Sequence, residues 1–414
     1  MSEGNSISEN QNARKYKVLM VHNYYQIPGG EDTVVANEKK LLEDNGHEVV
    51  LYTRNNSELK EMGKFRKLLL PITAVFNPRT YREVRKLIKE KQIDIVHVHN
   101  TLNLVSPAVY YAALSMKIPV VQTVHNFRLL CPGATFYRDG HICEDCVEQG
   151  LRCAVKHSCY RGSKLQTLAC VISTKIHRMT GVYGKINYIC LTEFNKEKLL
   201  TLKQIKPERV FIKPNFTYNS DPKIIAGAKV SDADRKNQFV YVGRLDPLKG
   251  IEILFNAWKQ LEEKKNDYRL IVCGTGPMED WCKEFIEVND LKTIEMMGLV
   301  PNEKARNIIA SSIALILPTQ WYEGFPMTLA EAYSVGTPMI VSDLGNAGSQ
   351  VEDGVTGFKF QHYSPEALAE AVEKMNTSDM NMMEENVRGR YQCEFTQDAN
   401  YQKLISIYKA VVAG

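Results

Sequence analysis

Glu323 and Glu331 stand eight residues apart around a Gly324-Phe325-Pro326 turn, in the run EGFPMTLAE. Proline lacks a backbone N–H and has φ already near the helical value, so Pro326 suits the first position of a helix. A helix over Pro326–Val335 puts Glu323 in the loop ahead of it and Glu331 about one and a half turns inside. The free N–H groups and positive dipole end of a first turn favour a polyhydroxylated, anionic ligand at such a place. Two glutamates alone fit an ordinary surface helix equally well, so their neighbours in the sequence decide.

Gly243-Arg244-Leu245-Asp246-Pro247-Leu248-Lys249-Gly250 is one such neighbour. Two cations five residues apart on a glycine-bounded turn can clamp a diphosphate and stabilise the charge that grows on it as a bond breaks. In Gly274-Thr275-Gly276-Pro277, glycine lets a ligand approach the backbone and the following helix offers its positive end to phosphate. A dinucleotide fingerprint would need Gly or Ala where Glu279 stands, which argues against a nicotinamide site. Earlier in the chain, Gly29-Gly30-Glu31 forms a flexible loop after Val21-His22-Asn23. His97, His99 and His125 follow two further apolar runs and are expected to converge on one rim, with His125 favoured for chemistry.

Each of these positions falls just after a short Val/Ile-rich run, and open α/β sheets bind ligands outside the carboxyl ends of their strands. Such runs alternate with longer amphipathic segments from Tyr16 onward, as in parallel sheets covered by helices on both faces. The first half suggests strands at Lys17–Val21, Glu48–Tyr52, Asp94–His97, Val120–Val124 and Tyr188–Leu191. The second suggests Phe239–Val242, Leu270–Cys273, Ile294–Met297, Ala314–Leu317 and Met339–Val341. At 414 residues the chain exceeds one usual core, so the expected fold class is α/β, with two Rossmann-like parallel-sheet domains facing a cleft. The expected division is a disordered tail over 1–14, an N-terminal acceptor-side domain over 15–213, a C-terminal donor domain over 214–395, and a helix over 396–414 packing back on the first domain. The polar stretch Thr217 to Asn237 reads as the connection, and its Asp232-Ala233-Asp234 as a solvated loop.

Fifty-two basic against 48 acidic residues, a net charge of +4, gives no reason to expect nucleic acid as a partner. No apolar run approaches the length that spans a bilayer, and the polar N-terminus lacks the apolar core of a signal peptide. A cytoplasmic location, soluble or peripheral on the cytoplasmic face of the membrane, is the expectation.

The ordered set Gly29-Gly30, His125, Thr192-Glu193-Phe194, Pro214-Asn215, Gly243-Arg244, Lys249-Gly250, Gly274-Thr275-Gly276-Pro277 and Glu323 with Glu331 resembles the retaining glycosyltransferases of family 4. The resemblance implies the GT-B architecture, and transfer of a sugar from a nucleoside diphosphate to an acceptor hydroxyl with retention. It also implies that Arg244 and Lys249 hold the diphosphate, that Glu331 holds the ribose hydroxyls, and that Glu323 and His125 lie near the transferred sugar. Gly30, Gly243, Gly274, Gly276 and Val300 are implied near the phosphates and base, and Gly324, Phe325, Pro326 and Met327 at the sugar hydroxyls, where Pro326 has no N–H to give. No catalytic cofactor is implied, because two cations can take the place of a divalent ion. An epimerase of the same fold and a non-catalytic nucleotide-sugar binding protein are the rival readings.

Cys143 and Cys146 form a C-x-x-C pair inside a cysteine-rich stretch, 131–162, with Cys153 and Cys159 following. Four thiolates can complete a tetrahedral ion, so a structural zinc on Cys143, Cys146, Cys153 and Cys159 is expected, with Cys131, His141 or His157 as substitutes. Free thiols and disulfides remain open alternatives. Similar inserts in glycosyltransferases of surface-polysaccharide pathways point to that substrate class. Lys60 to Lys91 interleaves ten basic residues with Leu68, Leu69, Leu70, Ile72, Val75 and Phe76, which suits an anionic membrane and a lipid-linked acceptor.

Overall fold

The computed structural model describes residues 14–26, 29–218 and 236–414, without the side chains of 64–67. Residues 1–13 of the expected tail, most of the polar connection and Asp232-Ala233-Asp234 lie outside the described residues.

The first sheet holds β1 (Lys17–Tyr24), β2 (Glu48–Asn55), β3 (Ile95–Val98), β4 (Val120–Val124), β7 (Asn187–Cys190) and β8 (Val210–Ile212), in the order β2-β1-β3-β4-β7-β8. Between β4 and β7 a small antiparallel hairpin pairs β5 (Tyr137–Arg138) with β6 (His141–Ile142). The second sheet holds β9 (Gln238–Val242), β10 (Arg269–Cys273), β11 (Ile294–Gly298), β12 (Ala314–Leu317), β13 (Met339–Ser342) and β14 (Gly357–Phe360), in the order β11-β10-β9-β12-β13-β14. The pairings are parallel, as in β1 with β3 and β9 with β10. Strands enclosed on both faces read as unbroken apolar runs: β3, β12 and β13 are buried at every position. The two sheets, each with its helices, are the two parallel α/β domains that the alternation of runs predicts.

Compactness groups the chain into one unit of residues 1–123, 176–188 and 405–414, and another of 124–175 and 189–404. This grouping differs from a division at 213/214, because the cysteine-rich segment packs within the second unit. There Phe127, Leu130, Cys131 and Phe136 form an apolar cluster with Phe194 and Tyr322. The core of the second sheet is aromatic, with Phe239 against Trp258 and Tyr268 at ring separations of 5.7 Å.

One local expectation is corrected. Pro326 is not the first helical residue: its φ of −62° is helical but its ψ of 122° is extended, so it caps a helix over Met327–Val335. The chain turns into the helix one residue later than the proline rule alone suggests, and Met327 supplies the first helical N–H.

Candidate active site

The second unit assembles Arg244, Lys249, Glu323 and Glu331 from the loops after β9 and β12. After β9 the chain makes a tight turn, Pro247–Lys249, capped by Asp246, whose carboxylate accepts from Leu248 N at 3.1 Å. After β12 the backbone of Gln320 donates to Leu248 O at 2.9 Å, which sews the two loops together. That seam brings Lys249 Nζ onto Glu323 Oε1 as an ion pair, with Glu323 4% exposed and the Lys249 side chain 32%. Arg244 reaches into solvent with Asp246 at 3.4 Å, while its carbonyl accepts from the buried Tyr241 hydroxyl at 2.7 Å. Burial, then the nearby Glu323 charge, pushes the Tyr241 hydroxyl well above its ordinary range.

Glu323 is also held by its backbone: Asn346 Nδ2 donates to Glu323 O, and Asn346 Oδ1 meets the Thr192 hydroxyl. Thr192 in turn caps the helix Glu193–Leu200 by accepting from Asn195 N at 3.0 Å. Glu331 sits one turn and a half along from Pro326, inside the helix Met327–Val335. Burial lifts its carboxyl to about 7, against a smaller opposing pull from Arg306. The two glutamates therefore live in different environments: one is ionically paired, the other is a desolvated acid.

Glycine spacing here serves backbone packing. A Cβ on Gly324 would run into the carbonyl oxygen of His125, so the half-buried His125 backbone lies against the Glu323 loop. Likewise a Cβ on Gly276 would meet Leu245 O, so this glycine is needed for two loops of the protein to approach each other, before any ligand is considered. Gly243 and Gly274 sit at the same loop pair, with Gly243 N donating to Cys273 O at 3.0 Å and Gly274 N to Gly298 O at 2.8 Å. Phe325 is buried in the core beside Phe395, Met327 is half buried, and Val300 packs on the edge of the same cluster.

In the first unit, Gly30 opens the helix Gly30–Asp44. Asp32 ties this loop to β1: one oxygen accepts from Gly29 N at 3.0 Å and the other meets His22 Nε2 at 2.7 Å. Burial lowers the affinity of His22 for a second proton, and the hydrogen bond from Asp32 opposes this. His97 and His99 do not stand on an open rim. Both are buried, stacked at 4.4 Å, with Glu38 Oε2 3.8 Å from His97 Nδ1 and 3.5 Å from His99 Nε2. Glu38, His97 and His99 have ligand atoms close enough for a metal. However, His97 already bonds the Tyr408 hydroxyl through Nδ1 at 2.7 Å and Thr123 through Nε2 at 2.8 Å. Because β3 is buried at every position, a histidine on it or just after it reads the same in sequence whether it stands on a rim or in the core, which is why the spacing misled.

Sequence reading passed over Asn346, Gln320, Trp321 and Tyr322. Trp321 has a buried indole N–H without a hydrogen-bond partner among the described residues, two positions from Glu323. Tyr322 donates to Glu144 Oε1 at 3.1 Å, and Glu144 also pairs with Lys198. The only available signal was adjacency to the EGFP turn. Of the cysteines named above, Cys143, Cys146, Cys153 and Cys159 are all free thiols bordering one small cavity, together with Cys131.

Two parallel-sheet α/β domains, with paired cations and carboxylates on loops at the strand ends of the second, define the GT-B class of glycosyltransferases. Residues 226–390 match the family described as Glycosyl transferases group 1, and residues 28–142 the one described as Glycosyltransferase Family 4. A glycosyltransferase of Methanocaldococcus jannaschii, itself uncharacterized, is 24% identical over 402 residues, covering 94% of this chain and 95% of its own. The GPI3 subunit of phosphatidylinositol N-acetylglucosaminyltransferase from Saccharomyces cerevisiae is 24% identical over 353 residues, 82% of this chain and 70% of its own. Among solved structures, a glycosyltransferase from Rickettsia africae superposes with a TM-score of 0.68 at 18% identity, covering 97% of this chain and 99% of that one. HepE from Anabaena in complex with UDP gives 0.64 at 16% identity, covering 95% and 100%. The chain is a glycosyltransferase of the GT-B fold, with its two halves matching these two families.

Proposed function

We propose that the protein moves a sugar from a nucleoside diphosphate, UDP in the first instance, to an acceptor hydroxyl with retention, in the assembly of a surface polysaccharide or glycolipid. The observation that carries this reading is the Lys249 and Glu323 pair, seamed together by two loops beside a solvent-facing Arg244. Arg244 and Lys249 grip the diphosphate and stabilise its growing charge, in the role a divalent ion plays elsewhere. Gly243, Gly274, Gly276 and Val300 border the phosphates and base. Gly324, Phe325 and Met327 offer N–H groups to the sugar, with Pro326 shaping the turn, and His125 lies beside them. Glu331 accepts from the ribose hydroxyls, which gives its buried carboxylate hydrogen bonds that favour ionisation. In the transfer, the bond from the anomeric carbon to the phosphate oxygen breaks as the acceptor oxygen bonds that carbon on the same face. The acceptor proton passes to the departing phosphate, and the nucleoside diphosphate leaves. HepE, solved with UDP and with UDP-glucose, supports the choice of donor.

A lipid-linked acceptor at a membrane surface extends the same reading. No helix among the described residues is long and apolar enough to cross a bilayer. The helix Lys164–Met179 is instead turned inside out: Thr167, Val171, Thr174 and His177 are buried, while Leu165, Leu168, Ile172, Ile176 and Met179 are exposed, the two end residues at 79% and 86%. It contains no Asp or Glu and carries Lys164, Lys175 and Arg178. Leu68 and Ile72 of the equally acid-free helix Lys64–Val75 are exposed too. Such faces suit anionic headgroups over acyl chains.

The test is a panel of UDP- and GDP-sugars with lipid-linked acceptors, read by product release and by the anomeric configuration of the product. A retained linkage from one UDP-sugar is expected. An inverted product, or conversion of the sugar nucleotide to an epimer with no acceptor present, overturns the reading.

A further inference from the structure

Five of the ten cysteines, Cys131, Cys143, Cys146, Cys153 and Cys159, line one cavity of about 10 Å³, the room of a single water or ion. None of the ten is in a disulfide. The cavity lies in a segment whose own structure is slight. Its hairpin has two residues per strand, and its helices, Asp145–Glu148 and Arg152–Lys156, have four and five. Elements of that length do not persist alone. The buried apolar cluster beneath them is Cys146, Leu151, Ala154 and Val171, too small to order about thirty residues by itself. A cross-link through the thiols supplies what this core lacks.

The five thiols are not equivalent. Cys131 is buried, and the Cβ position of Gly133 lies 3.7 Å from Cys131 Sγ and 3.6 Å from Cys159 Cβ, so the two ends of the segment meet there. Cys143 leaves the hairpin with its N–H on Phe136 O at 2.8 Å, and Cys146 follows on the next turn. Cys153 Sγ instead donates at 3.9 Å toward Oε1 of Gln149, the residue that ends the preceding helix. We infer that Cys131, Cys143, Cys146 and Cys159 bind one structural zinc ion, with Cys153 left out. This replaces the set that sequence spacing favours, exchanging Cys153 for Cys131. No three of the sulfurs lie within 4.8 Å of one another, whereas a tetrahedral zinc with bonds of about 2.3 Å holds sulfurs roughly 3.8 Å apart. Binding therefore draws the thiols of the segment inward. Through Cys131 and its neighbours Phe127 and Phe136, that contraction bears on Tyr322 and so on the loop of Glu323.

The test uses the full chain purified without chelator. Elemental analysis should find about one zinc per chain, and exchange with cobalt(II) should give the intense sulfur-to-cobalt absorption and visible bands of a tetrahedral thiolate site. C131S, C143S, C146S and C159S should each lose at least 80% of the metal, while C153S keeps it. Circular dichroism separates loss of ligand from loss of fold, and if a variant does not fold, the thiols of the folded wild type that become reactive to a disulfide reagent only after zinc is chelated decide: Cys131, Cys143, Cys146 and Cys159 are expected, and Cys153 in place of Cys131 overturns the ligand set. Less than a tenth of an equivalent of zinc in folded wild-type protein overturns the site, as does iron with labile sulfide. Metal lost in C153S but kept in C131S overturns the ligand set.

Discussion

The two units treat their polar groups in opposite ways. In the first, Glu38, His97, His99 and Tyr408 are buried together and answered by one another, so polar chemistry is spent on holding β3 to the C-terminal helix Gln397–Ala413. In the second, Lys249 and Glu323 meet at a loop seam, Arg244 faces solvent, and Glu331 is desolvated with a weaker opposing pull from Arg306. Titratable residues at strand ends therefore divide by enclosure: a closed network supports the fold, whereas an open one keeps charge available to a ligand.

That contrast breaks most sharply at Lys249. Lys249→Ala should lower kcat/KM about 1,000-fold, or roughly 4 kcal/mol, and leave the melting temperature within about 2 °C of wild type. Steady-state kinetics beside a thermal melt check both halves. His97→Leu should do the reverse, costing on the order of 3 kcal/mol of stability by stranding the Tyr408 and Thr123 hydroxyls, with kcat/KM changed less than about threefold. A urea titration that finds less than about 1 kcal/mol would show that the first unit's network does not hold the fold.

Glu331 sharpens the comparison through pH. Its carboxyl is raised from 4.5 to about 7, so the folded chain holds that proton more tightly than the unfolded one. Stability from this group is present below about 4.5 and is lost as pH rises through 7, an effect on the order of 2 kcal/mol for a group that keeps some solvent contact. Glu331→Gln should flatten that part of the stability curve and raise the KM for donor more than it lowers kcat. The smallest effect belongs to the closed network again: Tyr408→Phe, keeping the ring and removing the hydroxyl bonded to His97, should cost about 1 kcal/mol with no kinetic change.

Sheets and their main helices were legible because parallel strands enclosed on both faces must be continuous apolar runs, as at Ala314–Leu317. The strand Gly357–Phe360 and the helix Met380–Glu394 were not. The first is four residues behind a glycine turn, and the second buries only Met383, Glu384, Val387 and Tyr391 along fifteen residues. At the candidate site, Arg244, Lys249, Glu323 and Glu331 could be picked out by spacing, since they lie on the stretches that lead from a strand into the next helix or, for Glu331, inside that helix. Asn346 could not, because it reaches Glu323 from the first turn of a separate helix, Gly345–Gln350, more than twenty residues on. The five cysteines of the cavity were already grouped by sequence, with Cys131 as a substitute ligand, but sequence distance could not rank Cys131 against Cys153.

Tyr322 touches both halves of the second unit's chemistry. Its ring meets Phe127 at 6.3 Å, Phe136 at 6.0 Å and Phe194 at 4.7 Å, while the next residue is Glu323. In evolutionary terms this makes the cysteine-bearing segment and the donor loop a single inherited block. A descendant that shortens or replaces the segment must also rebuild residue 322, or lose the position of the carboxylate beside it. Lineages of such proteins should therefore exchange this segment whole, with the aromatic at 322 travelling alongside it.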